Sequence, residues 1–517
     1  MVLWLLILIP ILAAPFAWMG QQWSRHAPRW IAIGALAVDC LLVLLLGGRD
    51  HAAQASGSGS WIVESHISWI PRWGISLHLG LDGLSLILIV LTAFIGVVAV
   101  IASWTEVQSR VGLFHCNVLL ALGGVIGVFL AIDLFLFVFF WELMLLPMYL
   151  LIVIWGHTNR QYASFKFFLF TQAGSLVLLV AIIALALLHQ QATGRLSFDY
   201  SDLMGLNLTS EIARWLMLAF LIGFLVKLPA PPLHTWLPDT YTEAPTGATI
   251  ILAGILAKTG AYGLLRFTIP LFPEAMSELA PIAMGLGVVG ILYAAVLACA
   301  QTDIKRLVAY SSISHMGFIL LGAFAGTELA LQGVVMQMVA HGLSTGGLFL
   351  LAGALEERYQ TREMGQMGGL WSVTPRLATM ALFFACASLG LPGMANFIGE
   401  FLVLFGSYAT QPIMIILASL GMVMAAIYSL GLMQRTFLGR QQDTRSVSDL
   451  SNVAFGTVLL IVVLQLWLGF YPRVVLSTTQ PVMEQLVQHA VASSNLTHSP
   501  SESLLSSHIE TSQGGTP

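Results

Sequence analysis

The sequence predicts an all-α polytopic membrane protein of about 14 transmembrane helices containing two inverted five-helix repeats. Three observations carry that expectation. Hydrophobic residues make up 57% of the 517 positions and charged residues only 9%, whereas a soluble domain carries about 25% charge. Apolar runs of roughly 20 residues, the length that crosses a bilayer, recur from one end of the chain to the other. Two of these runs, the seventh and the twelfth, are interrupted by Pro and Gly, and interrupted segments at matching places point to an inverted-repeat transporter.

Taken in order, the runs fall at about 2–19, 30–47 and 82–103, which with an outer loop form an N-terminal unit, 1–111. The first run lacks a basic start, so it reads as a retained span and not as a signal peptide. Runs at about 112–131, 133–154, 164–188, 212–227 and 247–269 are spans 4–8, the first repeat, 112–269. Runs at about 279–300, 307–325, 329–353, 376–408 and 412–437 are spans 9–13, the second repeat, 270–437. Five is odd, so the second copy would sit inverted in the membrane. The last span, about 453–471, lies within a final unit with its outer end, 438–492. The Ser/Thr/His-rich tail, 493–517, has no periodicity and is expected to be disordered. Two longer segments, 48–81 and 189–211, are polar enough to cap the outer surface.

Loop charge sets the orientation. Loops after odd-numbered spans hold roughly 13 Lys and Arg against about six on the other side, so the odd-side loops are expected in the cytoplasm. Both termini would then face outward, across a bacterial inner (plasma) membrane.

Several functions are disfavoured. A net charge of −4 argues against a nucleic-acid partner. Cys40, Cys116, Cys299 and Cys386 all lie in apolar runs without CxxC spacing. The sequence offers no phosphate loop, dinucleotide fingerprint or metal-ligand cluster, so neither cofactor nor metal is expected in this chain.

The informative residues are the charges inside the apolar runs. An ammonium at mid-membrane depth costs roughly 2.5–3.5 kcal/mol on insertion scales, so such groups are rare and usually functional. Lys227 precedes a stretch containing Pro229, Pro231, Pro232, Pro238 and Pro245, and Lys258 lies in the run that follows. Prolines break the helix, and broken backbone at that depth survives only where protein or water satisfies it. Glu142 sits among aliphatic and aromatic residues. It either stabilises the bundle or pairs with Lys227, a pair worth roughly 2.4 kcal/mol at about 7 Å and an effective dielectric near 20. Glu400 follows the second break, LPGMAN, and reads as an interfacial group or as the end of a path. His234, His315 and His341 lie in or beside spans and could relay protons or simply pack. Asp133 is placed to cap a helix, and Asp39 to make an interhelical hydrogen bond.

Four strings, FFWELMLLPMYLL, KLPAPPLHTWLPDTYTEAPTGATIILAGILAKTGAYG, QTDIKRLVAYSSISHMG and LPGMANFIGEF, resemble the proton-pumping antiporter-like subunits of respiratory complex I. The wider family includes subunits of multi-subunit sodium/proton antiporters and of formate hydrogenlyase. The resemblance covers about 84–437 and implies 14 spans, two inverted repeats and a proton path through Glu142, Lys227, Lys258 and Glu400. Glutamate at the last position matches one branch of the family, whose sisters typically place lysine there. The implied function is proton translocation within NADH:quinone oxidoreductase. NADH, flavin, iron–sulfur clusters and quinone would be used by partner subunits. Two related antiporter-like subunits, other membrane-arm subunits and the lipid bilayer would be neighbours. A sodium/proton antiporter or a hydrogenase-linked complex is the alternative, and an inert spacer accounts poorly for the buried charges.

Overall fold

The computed structural model describes residues 1–48, 61–440 and 447–497. Among them, eleven helices are long and apolar enough to cross a membrane. Three other expected spans fall short by that test, for visible reasons. Ser210–Lys227 carries Glu211, Arg214 and Lys227. Ile304–Ala323 is diluted by serines and His315. The twelfth run is split into Pro375–Ser388 and Ala395–Tyr408.

Local chemistry sets many helix ends. Asp82, Asp133, Asp303 and Thr327 accept bonds from first-turn amides, satisfying donors that have no partner within the helix. Proline opens the helices at 273, 375 and 412, where its missing N–H costs nothing. The layout around the centre follows from burial. Thr246–Leu271 is wholly enclosed and Glu328–Tyr359 nearly so, whereas Val2–Gly20, Ala27–Gly47, Pro412–Thr436 and Asn452–Phe470 keep most of their surface outward.

Both expected breaks are present. The seventh run stops at Lys227 and resumes at Trp236–Glu243. Trp236 Nε1 donates to the Val226 carbonyl at 2.8 Å, satisfying an acceptor that the prolines leave unmatched. The twelfth run breaks over residues 389–394, where Gly390 and Gly393 hold φ of +74° and +94°, a region that side chains disfavour.

Four features differ from the sequence expectation or go beyond it. The fifth run is two helices, Leu134–Leu143 and Leu145–Trp155, meeting at Met144, two residues after Glu142. The eighth contains two π turns, Leu252–Leu256 and Leu264–Thr268, of the kind that cluster at functional sites. The segment expected to cap the surface forms an antiparallel hairpin, Val63–Ile70 with Ile75–Leu81, while its residues 49–60 lie outside the described ones. Finally, Arg473–Thr497 is helical and packs against Gly83–Glu106 and Glu328–Tyr359. Helix therefore continues past 493, where the sequence suggested a structureless tail; residues 498–517 lie outside the described ones.

Candidate functional site

Four of the expected residues come together at the centre. Lys258, fully buried, stands on the enclosed eighth helix just after its first π turn. The π turn loosens the carbonyl ladder, and Lys258 Nζ donates to the Ala253 carbonyl at 2.5 Å. His341 Nδ1 lies 2.7 Å from the same Nζ. That contact requires close helices. A Cβ on Gly342 would stand 2.9 Å from the Gly254 carbonyl, so only glycine lets Glu328–Tyr359 lie against the π turn.

The chain of polar groups continues. His341 Nε2 is 3.0 Å from Ser312 Oγ, and the His341 and His315 rings are 5.7 Å apart. His315 Nδ1 is 2.7 Å from Glu400 Oε1. Its Nε2 meets Ser388 Oγ and the Tyr428 hydroxyl, each at 3.2 Å. Gln337 Nε2 donates to Glu400 Oε1 at 3.0 Å. The second break brings Gly390 beside Glu400, where a Cβ would stand 3.3 Å from Oε2. Lys258, His341, His315 and Glu400 thus form one buried row, with Ser312 alongside it.

Lys227 lies apart from this row. It ends its helix, where the partial negative charge of the carbonyls favours a cation. Its Nζ sits 3.8 Å from the centre of the Trp141 ring and 3.4 Å from the Trp141 carbonyl. Glu142, half-buried, is the next residue, but it makes no ion pair within 4.0 Å among the described residues. Lys227 thus contacts Trp141, the residue that precedes Glu142 in the chain. No hydrogen bond among the described residues joins Lys227 to Lys258. Their helices nevertheless touch, since a Cβ on Gly260 would lie 2.8 Å from both Phe224 O and Leu228 N.

His234 does not join the row. Its ring packs edge-on against Tyr293 at 5.4 Å, with Nδ1 buried and unpartnered. Asp133 caps its helix as expected, accepting from Phe135 and Leu136 at 2.9 and 3.0 Å. The interhelical hydrogen bond expected of Asp39 is missing; both of its oxygens are buried without a partner.

Ser312, Gln337, Ser388 and Tyr428 escaped the sequence reading. Each is a neutral polar residue in an apolar run, a weak signal without knowledge of which helix faces which. At the end of the bundle with the basic loops, ion pairs join Asp239 to Lys166 at 2.7 Å, Lys305 to Glu356 at 2.6 Å and Arg362 to Asp303 at 3.0 Å. A cavity of about 1190 Å³ opens beside them, lined in part by Glu106, His157 and Glu356.

Residues 131–426 match the family described as NADH:quinone oxidoreductase/Mrp antiporter, TM. The chain is 50% identical to NADH-quinone oxidoreductase subunit M of Pseudomonas aeruginosa, over 94% of this chain and 98% of that one. It is 49% identical to the protein of the same name from Escherichia coli K12, with the same coverage. Among solved structures it resembles a chain of respiratory complex I from Thermus thermophilus with bound NADH. The TM-score is 0.85 at 33% identity, over 95% of this chain and 100% of that chain. A chain of the Mrp complex from Dietzia shares the fold at 20% identity, with a TM-score of 0.83 over 94% of this chain and 98% of that one.

Proposed function

This chain belongs to the NADH:quinone oxidoreductase/Mrp antiporter transmembrane family, and on that premise we propose that it carries protons along its buried row of titratable groups. It is an antiporter-like membrane-arm subunit of complex I, of the subunit M type. In this reading Glu142, Lys227, Lys258 and Glu400 are the proton-loading groups, with His341 and His315 relaying between the last two. His234 has no part in the relay. The chain is a non-redox translocase subunit. Partner subunits holding NADH, flavin, iron–sulfur clusters and quinone supply the drive, and related antiporter-like subunits stand on either side.

The observation that supports this most is the short spacing from Lys258 through His341 and His315 to Glu400. A proton handed to Lys258 can pass to His341 Nδ1 while His341 Nε2 releases one towards Ser312 and His315. A relay of this kind needs each imidazole to accept at one nitrogen and donate at the other, and both rings are placed to do so. The two repeats, 112–269 and 270–437, would then divide the work, with Lys227 and Lys258 from one and Glu400 from the other. The excess of basic residues in the odd-side loops supports an orientation with that end in the cytoplasm and both termini outside.

The decisive experiment replaces Lys258 by Met in membranes with equal amounts of assembled complex. Proton translocation coupled to NADH:quinone turnover is expected to fall by about tenfold or more, a barrier change of about 1.4 kcal/mol or above. Unchanged translocation would remove Lys258 from the path and with it this reading.

A further inference from the structure

At the end of the bundle opposite the basic loops, chemistry unrelated to the central row gathers on the hairpin. His66 and His78 are directly paired across its two strands, so both side chains leave the same face, with ring centroids 4.9 Å apart. Glu64, two residues from His66, shares that face and its Oε1 lies 2.6 Å from His78 Nε2. Asp199 arrives from a different part of the chain and contacts His78 Nδ1. One ligand atom from each of His66, His78 and Asp199 lies within 4.8 Å of the others.

We propose that these residues form a divalent-metal site of the zinc class, with His66, His78 and Asp199 as ligands and an open fourth position. The donor set favours zinc, copper or nickel over calcium or magnesium, because imidazole suits the former and the latter prefer all-oxygen shells.

The site is half built in advance. His78 is fixed by its carbonyl, which accepts from Ile132 N at 3.0 Å, and neighbouring Ser76 by bonds from its N and Oγ to Asp133 at 3.0 and 3.1 Å. Asp199 is held by Ser201 N, which donates to its Oδ1 at 2.9 Å, and its own N–H donates to Ser197 Oγ at 3.1 Å. His66 is exposed on the outer strand, providing the movable ligand and the route in from water. Zinc bonds of about 2.0–2.2 Å require ligand atoms roughly 3.4 Å apart in a tetrahedron, so His66 must swing inward by an ångström or so. An exposed side chain can do that.

Burial disfavours the charged form of His78, but contact with Asp199 and Glu64 outweighs it and raises its pKa above the usual histidine value. Asp133, next to Asp199, is the remaining ionisable group facing the cluster from the bundle.

The test uses purified, fully assembled complex, stripped with a chelator and equilibrated with Zn²⁺ against a weak competing chelator. Wild type is expected to retain a single zinc more than His66→Ala at about pH 7.5. With Cu²⁺ in place of zinc, nitrogen couplings in the electron paramagnetic resonance spectrum should drop by one in His66→Ala. His66 is exposed, so its variant tests the ligand without disturbing the buried anchor. Equal zinc content in wild type and His66→Ala, or an unchanged copper spectrum, overturns the proposal.

Discussion

Lys258 Nζ and His341 Nδ1 lie 2.7 Å apart at the centre of the protein, and neither residue has any exposed surface. An ammonium and a protonated Nδ1 cannot face each other at that distance, so the contact holds one proton between two bases. His341→Gln preserves polarity and approximate size but cannot accept at one atom while releasing at another. It is expected to lower coupled proton translocation by about tenfold at equal assembly. Translocation at the wild-type rate would show that His341 only packs.

Gly342 sets that contact by letting the backbones meet. Gly342→Val should force the Glu328–Tyr359 helix away from the Gly254 carbonyl and separate His341 from Lys258. Coupled pumping is expected to fall at least as far as in His341→Gln. Assembled Gly342→Val complex that pumps normally would contradict this account.

Glu400 accepts from Gln337 and lies against His315. If it must load and release a proton, Glu400→Asp should keep most activity and Glu400→Gln should lose pumping despite its similar shape. Glu400→Lys, as in the sister branch, should retain appreciable pumping, since the buried Gln337 Oε1 is available to an ammonium. Proton translocation in membranes of matched complex content ranks the three. A packing role would reverse the order, with Gln tolerated and Lys failing to assemble.

Lys227 rests on Trp141, and Glu142 is next to that tryptophan. Trp141→Leu removes a cation–π contact worth about 0.5–2 kcal/mol, whereas Trp141→Phe retains part of it. Turnover of NADH:quinone oxidoreduction should therefore fall in the order wild type, Phe, Leu, and Glu142→Ala should be strongly impaired. Normal turnover in fully assembled Glu142→Ala would dissociate this pair from coupling.

The hairpin should respond to pH in metal-free samples. His78 has its pKa raised, against the effect of burial, by Asp199 and Glu64, so its contribution is complete below the unfolded-state value and is lost as pH rises through the raised one. Asp199 is shifted down: burial opposes this, but His78 and Ser201 outweigh it, and its contribution is lost as pH falls through the lowered value. Amide exchange over Ile75–Leu81, corrected for intrinsic rates, should accelerate above the His78 transition. The same curve in His78→Gln should be flat, and an identical rise there would refute the assignment.

Much of this was legible in the sequence because membrane burial makes charge conspicuous. Lys227, Lys258 and Glu400 stood out in apolar runs, and the prolines and glycines beside them marked both breaks. Which neutral partners they meet depends on helix facing, and Ser312 or Gln337 could not be singled out by type. The hairpin was hidden because the second strand, ISLHLGL, is covered on both faces and lacks the alternation that betrays a half-exposed strand. The last helix, Arg473–Thr497, was obscured by Pro481 and its many polar residues, although Val475, Val482, Met483 and Leu486 follow a helical period. His78 and Asp199 meet across 121 positions of chain, beyond any local pattern.

The interruption between Lys227 and Lys258 bears on leakage. An energised membrane pulls on each positive charge with about 2.3 kcal/mol per 100 mV. A continuous row of titratable groups from face to face would let that voltage drain through the protein at rest. Phe224 and Leu228, lodged against Gly260 and Gly263, put hydrocarbon and satisfied backbone at that point instead. On the proposed path, this packing is what would keep a charged membrane from discharging through the row between turnovers.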